Sequence, residues 1–500
     1  MTKAVPQGVS CAATLGGSLR RAAALLPALL PSLLLSGCIL GSERPDLNLE
    51  IPATYRQETP ASRSAPDAAI PAVDWWRGFR SSELTSLMQA AQIYNLDIAV
   101  AIAEIVQADA QVGVSGAALL PSVSGTATAE QQRSGGSSLG GSSAPTTFSQ
   151  YNVGLTASYM LDFWGKNRAL LHAAEENASV ARYNREVVTL TAIVTVANTY
   201  FQILAAQDQL RVTRQDLAAA ERILTLIRQQ FNGGTASQLD LSQQLALVAT
   251  QRAAIPPLEV TLQQNIAALA LLVARAPADF HVNGGTTTAI AVPRVTPGLP
   301  SELLYQRPDI RQAEAQLAAS NFSVEAARAA FFPQIQLTGT TGFQSAALAT
   351  LFGPGAWYYT LATGLTQPLF DGFLLESQLK QAKGVQLQDL QSYRKAVLSA
   401  FADVEKALVA LQKFTLQERL QNDVVLNSRK AFDVAETQLR GGTVNLITVL
   451  QTQQTLFTAE NNLIQVRLTK LLAASSLFQA LGGGWTPERT LSSLQLPGQN

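Results

Sequence analysis

Four stretches of the chain alternate between apolar and polar side chains with a period of two. In the clearest stretch, the odd-numbered positions from Tyr151 to Phe163 are apolar or aromatic, whereas the even-numbered positions between them are mostly polar. Successive side chains of a β-strand point to opposite faces, so this pattern is typical of strands with one apolar face. We predict four strands, at residues 120–131, 150–163, 332–344 and 356–369.

The predicted strands are long enough to cross a membrane. A tilted transmembrane strand needs about 9–11 residues, and the aromatic residues Tyr151, Phe163 and Trp357 near the strand ends are typical of interfacial girdles. A soluble β-sandwich would show the same alternation, so the strands alone favour neither architecture. Four strands cannot close into a barrel, and an open sheet edge in lipid leaves backbone groups unpaired. Membrane-spanning strands would therefore require several chains to share one barrel.

Long proline-free stretches predict unusually long helices. No proline occurs from 146 to 255 or from 369 to 486, and we predict one helix from Lys166 to about Gln230. Helices of this length are usually coiled coils. A 4-3-4 spacing of apolar residues predicts such a seam in the second half of the chain, formed by Val397, Phe401, Val404, Leu408 and Leu411.

Pairs of glycine and proline predict where the long helices end. Glycine readily takes the left-handed conformation that ends a helix, so we predict hairpin tips at residues 233–236 and 441–444, which begin with Gly-Gly-Thr. Pro256 and Pro257 are expected to interrupt the helix that returns from the first tip.

The two halves of the chain repeat each other at a spacing of roughly 210 residues. Leu120-Pro121 corresponds to Phe332-Pro333, and the motif GGTAS at 233–237 corresponds to GGTVN at 441–445. Each half is expected to run helix, strand, loop, strand, long helix, tight turn, long helix. The predicted organisation is a signal peptide at 1–37, a leader at 38–80 packed on the equatorial region, a first repeat at 81–290, a linker at 291–303, a second repeat at 304–481 and a tail at 482–500.

The N-terminus has the pattern of a secretory signal peptide. Arg20 and Arg21 precede an apolar run that contains Pro27 and Pro31 and is too short to span a membrane. The following sequence, Leu-Ser-Gly-Cys ending at Cys38, resembles the lipobox of bacterial lipoproteins, which predicts a covalent lipid on Cys38. A plain signal peptide followed by an incidental cysteine is the alternative.

Composition and charge exclude several functional classes. The chain of 500 residues has 36 basic and 36 acidic side chains, which argues against a nucleic-acid partner. Its 2 histidines lie far apart in the sequence and no Cys/His spacing suits zinc, so we expect no metal and no other cofactor. Residues 136–140 (GSSLG) formally fit a hydrolase motif but lie between two predicted strands, where a nucleophile elbow cannot form. We therefore expect no catalytic residues and no enzyme.

Several motifs resemble the outer-membrane factor family of bacterial efflux systems, of the TolC and OprM type, and in particular its lipoprotein (NodT-like) branch. The resemblance extends in order from about Asp74 to Trp485, with Gln306 and Ala274 as minor departures. The matching stretches are 159–165 (YMLDFWG), 231–240 (FNGGTASQLD), 254–259 (AIPPLE), 307–311 (RPDIR), 329–333 (AAFFP), 368–372 (PLFDG) and 480–485 (ALGGGW).

The resemblance implies a mixed α+β membrane protein with an internal two-fold repeat. Three chains would form one homotrimeric, 12-stranded outer-membrane β-barrel, to which each contributes four strands. A long periplasmic α-helical barrel of coiled-coil hairpins would continue it. The implied partners are a periplasmic adaptor protein, an inner-membrane pump of the resistance-nodulation-division (RND) class and outer-membrane lipid. The chain would be a passive exit duct for small toxic compounds.

The resemblance also implies roles for the hairpin tips, where such channels dock their adaptor and close their tunnel. The docking candidates are Gly233, Gly234, Thr235, Gly441, Gly442 and Thr443, and the repeated threonines favour a surface that a partner recognises. The gate candidates are Asp240, Val444, Leu446, Thr448 and Gln451. Asp240 has an equally good alternative, because an acidic side chain in the first turn of a helix is favoured by the helix dipole.

Two other functions remain compatible with much of the sequence. One is the exit duct of a type I protein secretion system, against which the lipobox and the 307–310 motif argue. The other is a periplasmic coiled-coil spacer without a pore, against which the alternating strands argue.

Overall fold

The computed structural model describes residues 74–135, 146–293, 303–483 and 485. All of them belong to one compact unit of the chain, Pro45–Asn500. The predicted signal peptide, Cys38, most of the leader, the GSSLG loop, most of the linker and nearly all of the tail lie outside the described residues.

Each half of the chain contains the same elements. A 3₁₀ turn at Trp75–Phe79 and helix α1 at Ser82–Tyr94 come before the elements that recur in the second half, although α1 lies within the predicted bounds of the first repeat, 81–290. The first repeat then consists of α2 (Leu96–Ala117), β1 (Ser122–Ser134), β2 (Thr146–Leu161), α3 (Lys166–Asn232) and α4 (Gln238–Leu272). The second repeat, after a single helical turn at Leu303–Gln306, consists of α5 (Pro308–Ala329), β3 (Gln334–Ser345), β4 (Trp357–Thr366), α6 (Leu374–Arg440) and α7 (Leu446–Ala480).

Corresponding helices have equal lengths in the two repeats. Helices α2 and α5 have 22 residues, α3 and α6 have 67, and α4 and α7 have 35. A helix of 67 residues is about 100 Å long at a rise of about 1.5 Å per residue. The predicted internal repeat is confirmed element by element.

The four strands form one antiparallel sheet in the order β1-β2-β3-β4. The central β2–β3 pairing joins the two repeats, for example through Tyr159 opposite Leu337. The strand bounds differ from the predicted ones mainly at two ends. Strand β2 begins at Thr146 rather than at 150, and β4 ends at Thr366 rather than at 369, because Pro368 lacks the N–H that would extend the ladder.

The register gives the sheet one apolar and one polar face. Because paired residues share a face, the pairings Val123–Ala157, Tyr159–Leu337 and Leu337–Thr363 place the odd-numbered positions of all four strands together. Large side chains on this face are exposed, including Leu361 at 80% and Tyr359 at 63%. The opposite face carries mainly hydroxyl and amide groups, from Ser122, Ser124, Thr126, Asn152, Thr156, Ser158, Gln334, Gln336, Thr338, Thr340 and Thr360.

Helix α4 continues through the proline pair, so the predicted interruption at Pro256 and Pro257 is wrong. Each proline removes one backbone donor and leaves a carbonyl one turn earlier without its partner. Here both prolines are exposed, and the residues that carry the freed carbonyls, Arg252 and Ala253, are exposed as well. Water can therefore satisfy those carbonyls, and the helix persists.

The largest core lies where the N-terminal segment meets the long helices. Trp75 and Trp76 are buried, and the Trp75 ring stacks on Phe478 of α7 with centroids 4.6 Å apart. Both tryptophans therefore pack the start of the described chain against the long helices. The predicted coiled-coil seam of α6 is also confirmed, because Val397 is 1% exposed and Val404 is fully buried.

Candidate functional site

Each hairpin tip is a tight turn in which two glycines end the outgoing helix. In the first tip, Gly233 has a right-handed φ of −82° and Gly234 has a left-handed φ of +76°. In the second tip, Gly441 has a φ of −80° and Gly442 a φ of +69°. Glycine suits the left-handed position because it has no Cβ. The two tips therefore have the same backbone conformation at the same place in each repeat.

The threonine after each glycine pair closes the end of the helix with two hydrogen bonds. The backbone N–H of Thr235 donates to the Gln230 carbonyl at 2.8 Å, and its hydroxyl donates to the same oxygen at 3.0 Å. Thr443 bonds to the Gln438 carbonyl in the same way, at 2.9 and 3.1 Å. Helix capping thus accounts for the repeated threonines. The six docking candidates are exposed, and their recognition by a partner stays a prediction.

The first turns of the two return helices, α4 and α7, are capped by side chains at corresponding positions. Asp240 accepts a bond from the backbone N–H of Ser237 at 2.9 Å, while the Ser237 hydroxyl accepts from the N–H of Asp240 at 3.1 Å. In the second tip, the Asn445 side chain accepts from the N–H of Thr448 at 3.0 Å and from its hydroxyl at 2.8 Å. Hydrogen bonds from the Ser237 side chain and backbone lower the pKa of Asp240. This geometry supports the capping interpretation of Asp240.

The gate candidates of the second tip differ in where their side chains lie. Leu446 is only 3% exposed and packs in an apolar cluster between the helices, so its side chain is not on a surface that could line a lumen. Val444 is half-buried against the same cluster, whereas Thr448 and Gln451 are exposed. The buried members of this cluster come from α3, α6 and α7: Ala219, Ile223, Ile227, Phe432, Ala435, Leu439, Leu446, Val449 and Leu456.

The first hairpin is held by two ion pairs between its helices. Arg214 of α3 contacts Glu259 of α4 at 2.7 Å, and Glu221 of α3 contacts Arg252 of α4 at 2.5 Å. These side chains are 42–64% exposed, so each pair contributes little to overall stability. Their positions instead fix the register of α3 against α4.

The second hairpin has ion pairs of the opposite polarity. Glu418 of α6 accepts from Arg467 and Lys470 of α7 at 3.1 and 2.8 Å, and Arg429 of α6 pairs with Glu460 of α7. Burial alone would raise the pKa of Glu418, but the bonds and charges of Lys470 and Arg467 outweigh it and lower the pKa. Along the return helix α4 the basic Arg252 comes before the acidic Glu259. Along α7 the order is reversed, with Glu460 before Arg467.

Arg307 connects three helices at the opposite end of the hairpins. Its guanidinium donates to both carboxylate oxygens of Asp309 at 3.0 and 2.7 Å and to the carbonyl of Ala480, the last residue of α7, at 3.2 Å. Asp403 of α6 lies 3.5 Å away. Pro308 begins α5 and Asp309 lies in its first turn, both of which favour the start of a helix. The connection to α6 and α7 is an addition that sequence spacing does not reveal.

Comparison with known proteins gives these features a context. The sequence profile described as "Outer membrane efflux protein" matches residues 87–275 and 299–483. The chain is 37% identical over 445 residues to the pyoverdine export outer membrane protein OpmQ of Pseudomonas putida, covering 88% of this chain and 93% of that one. It is 32% identical over 468 residues to the toluene efflux pump outer membrane protein TtgC of Pseudomonas putida, covering 92% and 96%.

A solved structure agrees with the sequence relatives. The outer-membrane channel OprN superposes with a TM-score of 0.80 at 25% identity, covering 89% of this chain and 100% of that channel. The fold class predicted from the sequence, a homotrimeric 12-stranded outer-membrane barrel continued by a periplasmic helical barrel, is the one these channels have. The protein is thus an outer-membrane component of an efflux pump that extends into the periplasm. The chain belongs to the outer membrane efflux protein family.

Proposed function

We propose that the chain is the exit duct of a tripartite efflux system that passes small molecules from an inner-membrane RND pump to the cell exterior. In this role the protein performs no chemistry, because transport through an open duct follows the path and driving force that the pump provides.

The main support for this proposal is the sheet, which has one apolar and one polar face. In the part of the chain that the structure describes, β1 and β4 each lack a partner on one side, and most of their outward positions, such as Val123 and Leu361, are apolar. Copies of the chain that pair β4 with β1 would satisfy both edges in lipid. The polar face would then line a lumen of mainly neutral hydroxyl and amide groups, with Glu130 of β1 as an acidic member. Such a wall admits solutes of either charge without binding them tightly, which suits the pyoverdine and toluene named for the relatives.

The hairpin tips are the surface that we assign to the adaptor. Both tips are exposed and have identical caps, so a repeated partner could bind them in the same way. Within the second tip, Thr448 and Gln451 are the exposed candidates for a constriction, which would be neutral and polar rather than acidic.

Lipidation of Cys38 is a separate part of the proposal, supported by the lipobox sequence. Metabolic labelling with an alkyne fatty acid tests it directly. We expect label on the wild-type chain and on Cys11→Ala, which alters a cysteine within the predicted leader, and none on Cys38→Ala. Equal labelling of all three would refute the lipid anchor.

Deletion of the gene in its native host tests the transport role. We expect increased sensitivity to a panel of siderophore-like, solvent and antibiotic compounds, restored by the wild-type chain but not by a chain lacking residues 441–445. Loss of a secreted protein with unchanged sensitivity would instead indicate type I secretion. Unchanged sensitivity and secretion would contradict the proposed duct.

A further inference from the structure

Helix α3 of the first hairpin packs against α7 of the second, and one polar contact crosses this seam near its tip end. Gln453 of α7, which is 1% exposed, donates through Nε2 to Oδ1 of Asp216 on α3 at 3.0 Å. Apolar residues continue the seam towards the tips, including Ile223 and Val449. Asp216 is half-buried, with its Oδ2 inaccessible to solvent, and such a carboxylate oxygen normally has a cationic or hydrogen-bonding partner.

Each member of this pair has one buried oxygen without a hydrogen-bond partner. Oδ2 of Asp216 and Oε1 of Gln453 are both inaccessible to solvent and both unpaired. Two acceptors left unpaired on the two sides of one contact are costly, since each has lost its water without replacement. A proton on Oδ2 of Asp216 would give this oxygen a hydrogen to donate, which an ionised carboxylate lacks.

The charges around Asp216 do not favour its ionised form. From α4, Arg252 and Glu259 face this level of α3, but they pair with Glu221 and Arg214. From α7 the nearest charge is Glu460, which is paired with Arg429 of α6. Burial first and the Glu460 charge further raise the pKa of Asp216, although the bond from Gln453 lowers it in part.

We propose that Asp216 and Gln453 form a proton-dependent clasp between the two hairpins. A proton from water binds Oδ2 of Asp216, and the resulting O–H donates to Oε1 of Gln453 while Nε2 of Gln453 still donates to Oδ1. The acid and the amide then share two hydrogen bonds, and both unpaired oxygens are satisfied. Loss of the proton leaves a buried carboxylate that gains by separating from α7 and meeting water.

The direction of the pH effect follows from this chemistry. The packed seam binds the proton more tightly than a separated, hydrated seam, so acid favours packing and rising pH favours separation. For one proton per chain, the equilibrium between packed and separated seam changes by at most about tenfold per pH unit. The ion pairs within each hairpin stay formed, so α3 and α7 separate along the seam between the hairpins. The inference rests on the proposed role of the tips as the gate.

Amide hydrogen exchange of the purified full-length protein tests the clasp without pump or adaptor. After correction for the intrinsic pH dependence of exchange, residues 213–219 and 450–456 of the wild type should become less protected as pH rises. In Asp216→Asn the amide nitrogen donates permanently to Gln453, so protection should be independent of pH. Glu175→Gln, which neutralises a solvent-accessible acid far from Asp216 on the same helix, should keep the wild-type response.

A second variant keeps the test decisive if Asp216→Asn does not fold. In Gln453→Glu two carboxyl groups share one proton, which should move the transition to higher pH. An unchanged midpoint in this variant, or a wild-type pH response in Asp216→Asn, would overturn the clasp. A seam that titrates as expected in a protein whose deletion does not sensitise cells would uphold the clasp and refute the efflux role.

Discussion

Replacing single glycines at a hairpin tip gives a sharp test of the tip conformation. Gly234 has a φ of +76° and a Cβ added there would meet nothing within 4 Å, so the penalty for Gly234→Ala is purely conformational. An L-residue in the left-handed region costs about 1–2 kcal/mol. Gly233, with a φ of −82°, is the matched control, and an alanine there should be neutral or stabilising by about 0.4–1 kcal/mol.

Exchange of the Thr235 amide reports this change locally, because its N–H closes the turn by donating to the Gln230 carbonyl at 2.8 Å. If Gly234→Ala destabilises the turn by about 1–2 kcal/mol, the Thr235 amide should exchange about 5–30 times faster than in the wild type. The same contrast should appear in the second tip between Gly442→Ala and Gly441→Ala. If the two alanine variants of one tip exchanged equally fast, the left-handed turn would be refuted.

Four further substitutions test the packing and the charge pattern. Arg307→Lys keeps the charge but loses the forked geometry, and should destabilise the protein by about 1–3 kcal/mol in denaturant unfolding. Trp75→Ala removes the ring stacked on Phe478 and should cost about 3–5 kcal/mol by the same measurement. Glu221→Arg and Arg252→Glu should each weaken protection of the first hairpin in hydrogen exchange by at most about 1 kcal/mol, and the double reversal should restore it.

The repeat, the strands and the long helices could be predicted because they depend on local pattern. Period-two alternation and the Gly-Gly turns are properties of consecutive residues, and the structure confirms both. Pro256 and Pro257 show the limit of such reasoning. A proline breaks a helix only if the freed carbonyls find no partner, and their exposure on α4 depends on what packs beside that helix.

The roles of single side chains depended on contacts that the sequence pattern does not reveal. The repeated GGT favoured a recognition role for Thr235, which stays a prediction, and did not reveal that its hydroxyl caps its own helix. Leu446 fitted a constriction by position, yet it packs against residues of α3 and α6. The sequence does not indicate that Asp216 contacts another helix, since a single acid in a long helix usually faces water. Its partner Gln453 lies 237 positions further along the chain.

Single-channel recording shows whether the trimer encloses a conducting pore. Purified wild-type trimers inserted in a planar bilayer should give discrete current steps, because three four-stranded sheets close around a polar lumen. The steps should be rare at acidic pH and more frequent as pH rises. Bilayers that contain correctly inserted trimers yet stay silent at every pH and voltage would contradict the account, and would leave the chain as a spacer without a pore.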